Sequence, residues 1–397
     1  MATSWKTRLI HPAVSAPEGF RSLATPVHRG STTLFSRAAE AQDNWNQEVA
    51  PYSYGLYGTP TTLELAARIG ELEGANHTLM TPGGQAAIAL VYLAFSRSGG
   101  HVLVPESIYG PSRDLAIDML AGLQIEIEFY DPLVGSRIAE LFRPNTQLIW
   151  CENPGSVTME VQDVAAIAAA ARSHGIVTAL DNTYAAGVLF DAFANGADVT
   201  MQALTKYVGG HSDLLLGTVS VRDPGHYERL GRAHQLLGMA VSPDECSLAL
   251  RGLQTLGVRL AHLEQSTLAI ANWLADRPEI ALVLHPALES CPGHKLWKRD
   301  FSGSASVFSI VFRDDFSEQE IGRFVDALKL FKIGYSWGGV TSLAVPYPTQ
   351  RRFRPYGDRL VRLNIGLEDA DDLIADLESA FAKLAAPTGA GTDCSRP

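Results

Sequence analysis

The feature that most constrains the fold is an alternation, from Thr78 to Val221, of short apolar runs rich in β-branched residues with longer stretches of helical periodicity. This alternation is typical of a doubly wound parallel sheet covered by helices on both faces. The predicted strands are His101–Val104, Ile125–Phe129, Gln147–Cys151, Ile176–Leu180, Thr200–Leu204 and Leu214–Val221. The predicted helices are Gln85–Phe95, Ser112–Leu120 and Val164–Ser173. The sequence therefore predicts a large α/β domain in this region.

A smaller domain is predicted to follow, joined by a long helix from Ser242 to about Asp276, where the apolar period has few breakers. Its predicted strands are Ala281–Leu284, Ser306–Phe312, Phe331–Tyr335 and Leu360–Ile365, and its predicted helices are Glu318–Leu330 and Asp369–Leu384. The first 60 to 75 residues contain Pro, Gly and Tyr clusters with little periodicity, which indicates an extended arm. The predicted division is an arm over 1–60, a large domain over 61–255 and a small domain over 256–397, with a frayed tail at Ala386–Pro397.

Charge and cysteine content exclude several classes of partner. The 32 Lys and Arg against 43 Asp and Glu give a net charge of −11, which leaves no basic face for nucleic acid. No apolar run reaches the ~18 residues of a membrane-spanning helix, and the N-terminus has no signal-peptide pattern, so a cytoplasmic protein is expected. The four cysteines are far apart without a Cys-x-x-Cys pair, so neither disulfides nor a metal site is predicted.

Chemically active side chains follow several of the predicted strands, where a parallel sheet binds its ligands. Asp181 and Lys206 each end an apolar strand, and Tyr109 lies just after another. The segment Pro82-Gly83-Gly84-Gln85 precedes an apolar helix and would aim free N–H groups at an anion. Taken singly, Asp181 and Lys206 are better explained as a capping carboxylate and a solvated lysine, Tyr109 is explained equally well as a loop anchor, and the glycines are weak evidence because many helices begin with such a turn. Together they supply a phosphate cradle, an amine, a carboxylate and an aromatic ring.

Pyridoxal 5′-phosphate (PLP) is the cofactor that needs this combination of groups. Lys206 would bond covalently to it, Asp181 would keep its pyridine nitrogen protonated, and Tyr109 would cover one face of the ring. The chain has no Gly-x-Gly-x-x-Gly and no Gly-x-x-x-x-Gly-Lys-Ser/Thr segment. Nucleotide binding is therefore disfavoured.

Four segments resemble the Cys/Met-metabolism family of PLP-dependent enzymes: Asp181–Gly187, Thr205–Asp213, Tyr335–Gly339 and Arg362–Glu368. The resemblance runs from about residue 20 to 385 and is strongest to the bacterial members that cleave cystathionine by β-elimination. It implies an α/β, aminotransferase-like fold (fold type I), with a mostly parallel seven-stranded sheet in the large domain and a smaller C-terminal α/β domain. It also implies a homotetramer built from two catalytic dimers.

The resemblance further implies roles for individual residues. Lys206 and Tyr109 would be catalytic, and Lys206 would take the α-proton of the substrate. The residues placed on the cofactor are Lys206, Asp181, Tyr109, Gly84, Gln85, Thr205 and, from the arm of a neighbouring subunit, Tyr54. The residues placed on the substrate are Arg362, Ser336, Trp337, Tyr57 and Asp114. His211 and Asp213 are expected to be structural.

The arm segment Tyr54-Gly55-Leu56-Tyr57-Gly58 departs from the family pattern. The family commonly has an arginine that reaches the cofactor phosphate where this chain has Leu56. Close relatives have a second arginine, implicated in holding the distal end of cystathionine, where this chain has Tyr57. Arg351, Arg352 and Arg354 are candidate substitutes, although a solvated basic loop is the favoured interpretation of that segment.

The reaction implied by the resemblance is β-elimination on a small amino-acid substrate, L-cystathionine or a related cysteine S-conjugate, giving a thiol, pyruvate and ammonia. Trp337 beside Ser336 favours a lyase. The alternatives are a γ-replacement transferase of the cystathionine γ-synthase or homoserine sulfhydrylase type, or a γ-lyase. A non-catalytic binding protein is disfavoured because both Lys206 and Asp181 are present.

Overall fold

The structure is a computed structural model that describes residues 4–10, 19, 22–50, 52–349 and 351–385. The tail predicted to fray at Ala386–Pro397 lies outside the described residues. The helices are α1 Trp5–Arg8, α2 Pro60–Glu73, α3 Gly84–Phe95, α4 Gly110–Asp114, α5 Val164–Arg172, α6 Pro224–Leu237, α7 Pro243–Ala275, α8 His294–Asp300, α9 Glu318–Ala327 and α10 Ala370–Ala385. None of the helices in the described part of the chain is long and apolar enough to cross a membrane.

The large sheet has seven strands in the order β1-β7-β6-β5-β4-β2-β3. They are β1 His77–Thr81, β2 His101–Pro105, β3 Glu126–Tyr130, β4 Thr146–Glu152, β5 Val177–Asp181, β6 Val199–Ala203 and β7 Gly217–Val221. Only β7 runs against its neighbours, so the predicted mostly parallel seven-stranded sheet is confirmed. Apolar clusters cover both faces, one under α3 and α6 and the other under α5.

The small sheet is antiparallel, in the order β10-β11-β9-β8. Its strands are β8 Ile280–Leu284, β9 Val307–Phe312, β10 Leu343–Pro346 and β11 Leu360–Asn364. The predicted strand at Phe331–Tyr335 is wrong, because Leu343–Pro346 pairs with β11 instead. Only Lys332 of the predicted segment forms an isolated bridge, to Leu343. The α/β aminotransferase-like fold with a smaller C-terminal domain is therefore confirmed, with one strand reassigned.

Helix α2 lies in the region that shows little periodicity, and the sequence analysis missed it. Local signals mark both of its ends: the Thr59 hydroxyl accepts a hydrogen bond from the N–H of Thr62, Pro60 occupies the first turn, and Gly74 adopts the left-handed conformation at the C-terminus. The predicted helix Ser112–Leu120 begins earlier, at Gly110, and continues as a π-helix over Leu115–Leu120. The first difference adds a helix and the second shifts a helix boundary. Neither alters the architecture of the large domain.

Helix α7 runs through the predicted domain boundary at residues 255 and 256 and contacts the turn that follows Lys206. The Arg259 guanidinium donates hydrogen bonds to the carbonyls of Tyr207 at 2.6 Å and Gly252 at 2.8 Å. A Cβ atom at Gly252 would collide with the carbonyl oxygens of Val208 and Gly209. The helix can therefore approach this turn only because residue 252 lacks a side chain. The division of the chain at this boundary stays a prediction.

We expect Gly252→Ala to lower the free energy of unfolding by about 1–3 kcal/mol, because the added methyl group forces the turn and helix apart. Denaturant unfolding of the purified protein measures the change. Gly322→Ala in α9 is the matched control, since a Cβ there meets no atom within 4 Å and should add about 0.5–1 kcal/mol. Equal effects of the two substitutions would contradict the packing role of Gly252.

Candidate active site

A cavity of about 340 Å³ opens at the carboxyl ends of the parallel strands. It is bounded by the start of α3, by residues at or after the ends of β2, β4, β5 and β6, and by three segments of the small domain, at Val307, Trp337 and Arg362. The predicted site residues that line it are Gly84, Gln85, Tyr109, Asp181, Thr205, Lys206, Trp337 and Arg362. The structure thus brings together residues that are spread over most of the chain, at the sheet edge where ligands were expected.

Lys206 lies on the turn after β6 and is mostly buried. Its Nζ donates a hydrogen bond to Oγ of Ser336 at 2.7 Å and lies 5.3 Å from the centre of the Trp337 ring. Burial, together with the positive charge of Arg362, lowers the pKa of Lys206 to about 8, while Asp181 opposes the shift. About a tenth of the amine is therefore uncharged at pH 7, far more than for an ordinary lysine, and is able to act as a nucleophile or base.

Asp181 ends β5 and lies partly buried on the cavity wall. Its Oδ1 accepts a hydrogen bond from the N–H of Thr183 at 2.9 Å. Burial raises the pKa of Asp181, whereas the hydrogen bonds from Thr183 and the charge of Lys206 act in the opposite direction. The Thr183 hydroxyl also accepts from the N–H of Ala203 at 2.9 Å. This contact joins the ends of β5 and β6, so the carboxylate and the lysine are held on one rigid edge.

The N-terminus of α3 faces the cavity without a side-chain cap. A Cβ at Gly84 would lie 2.6 Å from the Cβ of Ala203, so only glycine lets the helix start approach β6 this closely. The first N–H groups of a helix have no partner within the helix and carry the positive end of its dipole. This end of the cavity is suited to a phosphate group.

Thr205 lines the cavity, but its hydroxyl is engaged with the backbone beside it. It donates to the Leu216 carbonyl at 3.3 Å and accepts from the Leu216 N–H at 3.2 Å. Its predicted contact with phosphate stays a prediction. The remaining groups fit PLP: an amine of lowered pKa, a partly buried carboxylate and an uncapped helix N-terminus open into one cavity.

The small domain supplies the opposite side of the cavity. Arg362 on β11 is 8% exposed, and its Nη2 donates to the Ser336 carbonyl at 3.2 Å. Its guanidinium lies 5.2 Å from the centre of the Tyr347 ring, and Arg362 forms no ion pair within the described residues. Ser336 has a φ of 79°, a strained conformation of the kind that clusters at functional sites. These contacts orient a buried cation without neutralising it, which suits the binding of a carboxylate.

Four predicted site residues do not line the cavity of the single chain: Tyr54, Tyr57, Asp114 and Ser336, of which Ser336 contacts a lining residue, Lys206, through its side chain. Tyr54 is 45% exposed, and Asp114 is exposed at the end of α4. The Tyr57 hydroxyl donates to Asp43 at 2.7 Å and accepts from Gln235 Nε2 at 3.0 Å. The roles predicted for these residues, including that of Tyr54 in a neighbouring subunit, stay predictions.

The interpretation of residues 351–354 as a solvated basic loop is wrong for two of its arginines. Arg351 is largely buried and donates a hydrogen bond to the Thr158 hydroxyl. Arg354 forms an ion pair with Asp131 at 3.0 Å, whereas Arg352 is exposed. His211 and Asp213 are also exposed, and the contact of the His211 ring is local, to the Gly209 carbonyl at 2.8 Å.

Glu152 is a cavity residue that the sequence analysis missed. It ends β4, is buried, and its Oε2 accepts a hydrogen bond from the N–H of Tyr109 at 2.7 Å. Burial, reinforced by Asp181, raises the pKa of Glu152 well above its usual range. Its position at a strand end is the same signal that identified Asp181. The strand-end position alone does not show which group the Glu152 carboxyl contacts.

The fold and the cavity together define a PLP-binding α/β enzyme, and comparisons with known proteins name the family. The family model for the Cys/Met metabolism PLP-dependent enzymes matches residues 6–382. A putative cystathionine beta-lyase of Rhizobium johnstonii is 44% identical over 386 residues, which cover 96% of each chain. The cystathionine beta-lyase MetC of Escherichia coli is 40% identical over 388 residues, which cover 95% of this chain and 98% of the relative.

Among solved structures, a cystathionine gamma-lyase from Lactobacillus plantarum complexed with L-serine superposes with a TM-score of 0.88. It is 26% identical, and the match covers 96% of this chain and 99% of that one. The chain therefore belongs to the Cys/Met metabolism PLP-dependent enzyme family, and its cofactor is PLP. The family resemblance given by the motifs is confirmed.

The lowered pKa of Lys206 predicts how the cofactor-free protein combines with PLP. Only the uncharged amine reacts, so the association rate should rise with pH through a midpoint near 8. Arg362→Met removes the charge that helps to lower this pKa and should move the midpoint to higher pH. Stopped-flow absorbance of PLP capture measures both profiles.

Arg359→Met is the matched control, because Arg359 pairs with Asp314 and does not line the cavity. Its midpoint should equal that of the wild type. An unchanged midpoint in Arg362→Met would refute the electrostatic coupling between Arg362 and Lys206.

Proposed function

We propose that this protein is a PLP-dependent carbon–sulfur β-lyase that cleaves L-cystathionine or a related cysteine S-conjugate to a thiol, pyruvate and ammonia. The observation that carries the proposal is the meeting, in one buried cavity, of a lysine amine of lowered pKa with an unpaired arginine. The names of relatives at 40% and 44% identity support the same reaction.

When bound, PLP supplies an electron sink that stabilises negative charge at the α-carbon of an amino acid. Asp181 serves this chemistry by holding a proton on the ring nitrogen. The Arg362 guanidinium, fixed by the Ser336 carbonyl, binds the α-carboxylate and so orients the Cα–H bond. The Lys206 amine takes the α-proton, the Cβ–S bond breaks, and the sulfur leaves as a thiolate that is then protonated. Water finally converts the remaining three-carbon unit to pyruvate and ammonia.

The side chains around Lys206 favour its use as a base in elimination. Trp337 packs against Tyr207, with ring centres 5.2 Å apart, and lies beside the Lys206 amine. These rings bury the amine, and burial is the main cause of its lowered pKa. Tyr109, the second predicted catalytic residue, lines the cavity. Its proposed role is to cover one face of the cofactor ring.

The proposed assembly is a homotetramer of two catalytic dimers, in which Tyr54 completes the site of a neighbouring subunit. Its support is that Tyr54 is 45% exposed and lies outside the cavity of its own chain. The proposed location is the cytoplasm. The free, buried Cys151, Cys246 and Cys291 support it, because oxidising compartments favour disulfides.

Product analysis on a small substrate panel tests the proposed function. We expect cystathionine and S-methylcysteine to give pyruvate in a one-to-one ratio with thiol, and Lys206→Ala to abolish turnover and the visible absorbance of the lysine–PLP linkage. Release of 2-oxobutyrate from cystathionine would instead indicate a γ-lyase. Thioether formation from an acylated homoserine and cysteine would indicate a γ-replacement transferase.

The absence of a cation at positions 56 and 57 predicts broad selectivity. The distal carboxylate of cystathionine must be desolvated, which is unfavourable without a positively charged partner, and shorter conjugates avoid this cost. We expect Tyr57→Arg to raise kcat/KM for cystathionine relative to S-methylcysteine by about tenfold, or ~1.4 kcal/mol.

Tyr57→Phe is the control, because it removes the hydrogen bonds to Asp43 and Gln235 without adding a charge. It should leave the ratio of the two kcat/KM values unchanged. A strong preference of the wild type for cystathionine, with no gain in Tyr57→Arg, would show that other groups hold the distal carboxylate.

A further inference from the structure

Glu152 and Tyr109 connect two strand ends at the rim of the cavity. Glu152 is the last residue of β4, and Tyr109 lies in the loop between β2 and α4. The Tyr109 N–H donates to Oε2 of Glu152 at 2.7 Å, and both side chains line the cavity. The Tyr109 side chain makes no capping hydrogen bond at the start of α4. The hydrogen bond to the Glu152 side chain therefore holds the backbone of residue 109 in place.

The surroundings of Glu152 favour its uncharged form. The carboxyl group is buried, Asp181 and Glu160 add negative potential, and the N–H of Tyr109 is a neutral donor. The opposing cation is Arg351, which also faces Glu160 and Glu106 and donates to the Thr158 hydroxyl. Because Oε2 accepts the Tyr109 N–H, the proton of a neutral Glu152 belongs on Oε1, which accepts no hydrogen bond from the described residues.

We propose that Glu152 is a positioning residue for Tyr109: by accepting the Tyr109 N–H it fixes the loop after β2 to the end of β4, and so sets where the Tyr109 ring stands in the cavity. The role needs an acceptor oxygen and no negative charge. A neutral group here also avoids adding a second charge next to Asp181, which holds the proton on the cofactor ring nitrogen. The proposal rests on the proposed function in taking Tyr109 to cover the cofactor.

The first test uses the PLP-loaded protein without substrate. Visible circular dichroism of the bound cofactor reports the asymmetric placement of neighbouring groups, including the Tyr109 ring. Glu152→Ala should change this signal at saturating PLP. It should also weaken PLP binding by about tenfold, because the loop that covers the ligand loses a hydrogen bond. Glu152→Gln, which keeps an acceptor oxygen and a similar shape, should retain the wild-type spectrum and affinity.

Two results would overturn the proposal at this stage. An unchanged dichroism signal in Glu152→Ala would show that Tyr109 does not depend on Glu152. A Glu152→Gln protein that behaves like Glu152→Ala would show that a negative charge is required. Thermal melts of the loaded variants establish that they are folded. Since no turnover is measured, these readouts stand even if the protein does not prove to be a β-lyase.

The second test is a double-mutant cycle on kcat/KM with Tyr109→Ala. If Glu152 acts through Tyr109, Glu152→Ala should cost about tenfold in the wild type and less than about twofold in the Tyr109→Ala background. Asp376→Ala is the matched control. Asp376 is also a buried carboxylate that accepts backbone N–H groups, from Lys329 and Leu330, but it lies in the small domain away from the cavity.

The effects of Asp376→Ala and Tyr109→Ala should be independent. The fold losses in kcat/KM of the two single variants should then multiply in the double variant. Losses of Glu152→Ala that multiply in the same way would overturn the positioning role, because they would mean that Glu152 acts without Tyr109.

Discussion

The hydrogen bonds of the Arg259 guanidinium to the backbone carbonyls around Tyr207 hold the turn that carries Lys206, and both domains depend on that turn. On one side α7 approaches it at Gly252. On the other, the small domain meets it where Gly338 packs against its backbone and where the Tyr207 hydroxyl accepts from the N–H of Ser306 at 2.9 Å. The lysine therefore occupies the junction of the two domains. A shift of either domain would displace the amine relative to Arg362.

The charges of the cavity are arranged for a ligand that is itself anionic. Lys206 and Arg362 both have pKa values lowered mainly by burial, which shows that the protein alone solvates these cations poorly. Asp181 has a raised pKa for the same reason and offsets only part of the positive charge. In the proposed function, a phosphate at the α3 N-terminus and a substrate carboxylate at Arg362 would supply the missing negative charges. Binding of cofactor and substrate would then offset the free-energy cost of burying the cations.

Features set by local sequence were predictable, and features set by long-range pairing were not. Asp181 and Lys206 could be identified because each ends an apolar strand, and the strand ends follow from the alternation of the chain. The strand predicted at Phe331–Tyr335 was wrong because the edge of the small sheet is decided by hydrogen bonding to β11. Leu343–Pro346 forms that pairing instead. The Arg351 guanidinium donates to the hydroxyl of Thr158, which is 193 residues away in the chain. Composition near Arg351 resembles a solvated loop, and only the fold reveals its partner.

The partners of these loop arginines bear on substrate selectivity. Arg354 pairs with Asp131, and Arg351 donates to the Thr158 hydroxyl and faces the buried Glu160, so both guanidinium groups are engaged within their own chain. Neither is free to take over the role of a cation at the arm. Tyr57 is likewise held by its own chain, through Asp43 and Gln235. Because Arg362 is the proposed partner of the substrate α-carboxylate, we expect recognition to be stronger at the reacting end of the substrate than at its distal end. Selection among thioether substrates would then depend on the groups around the reacting carbon more than on the length of the leaving group.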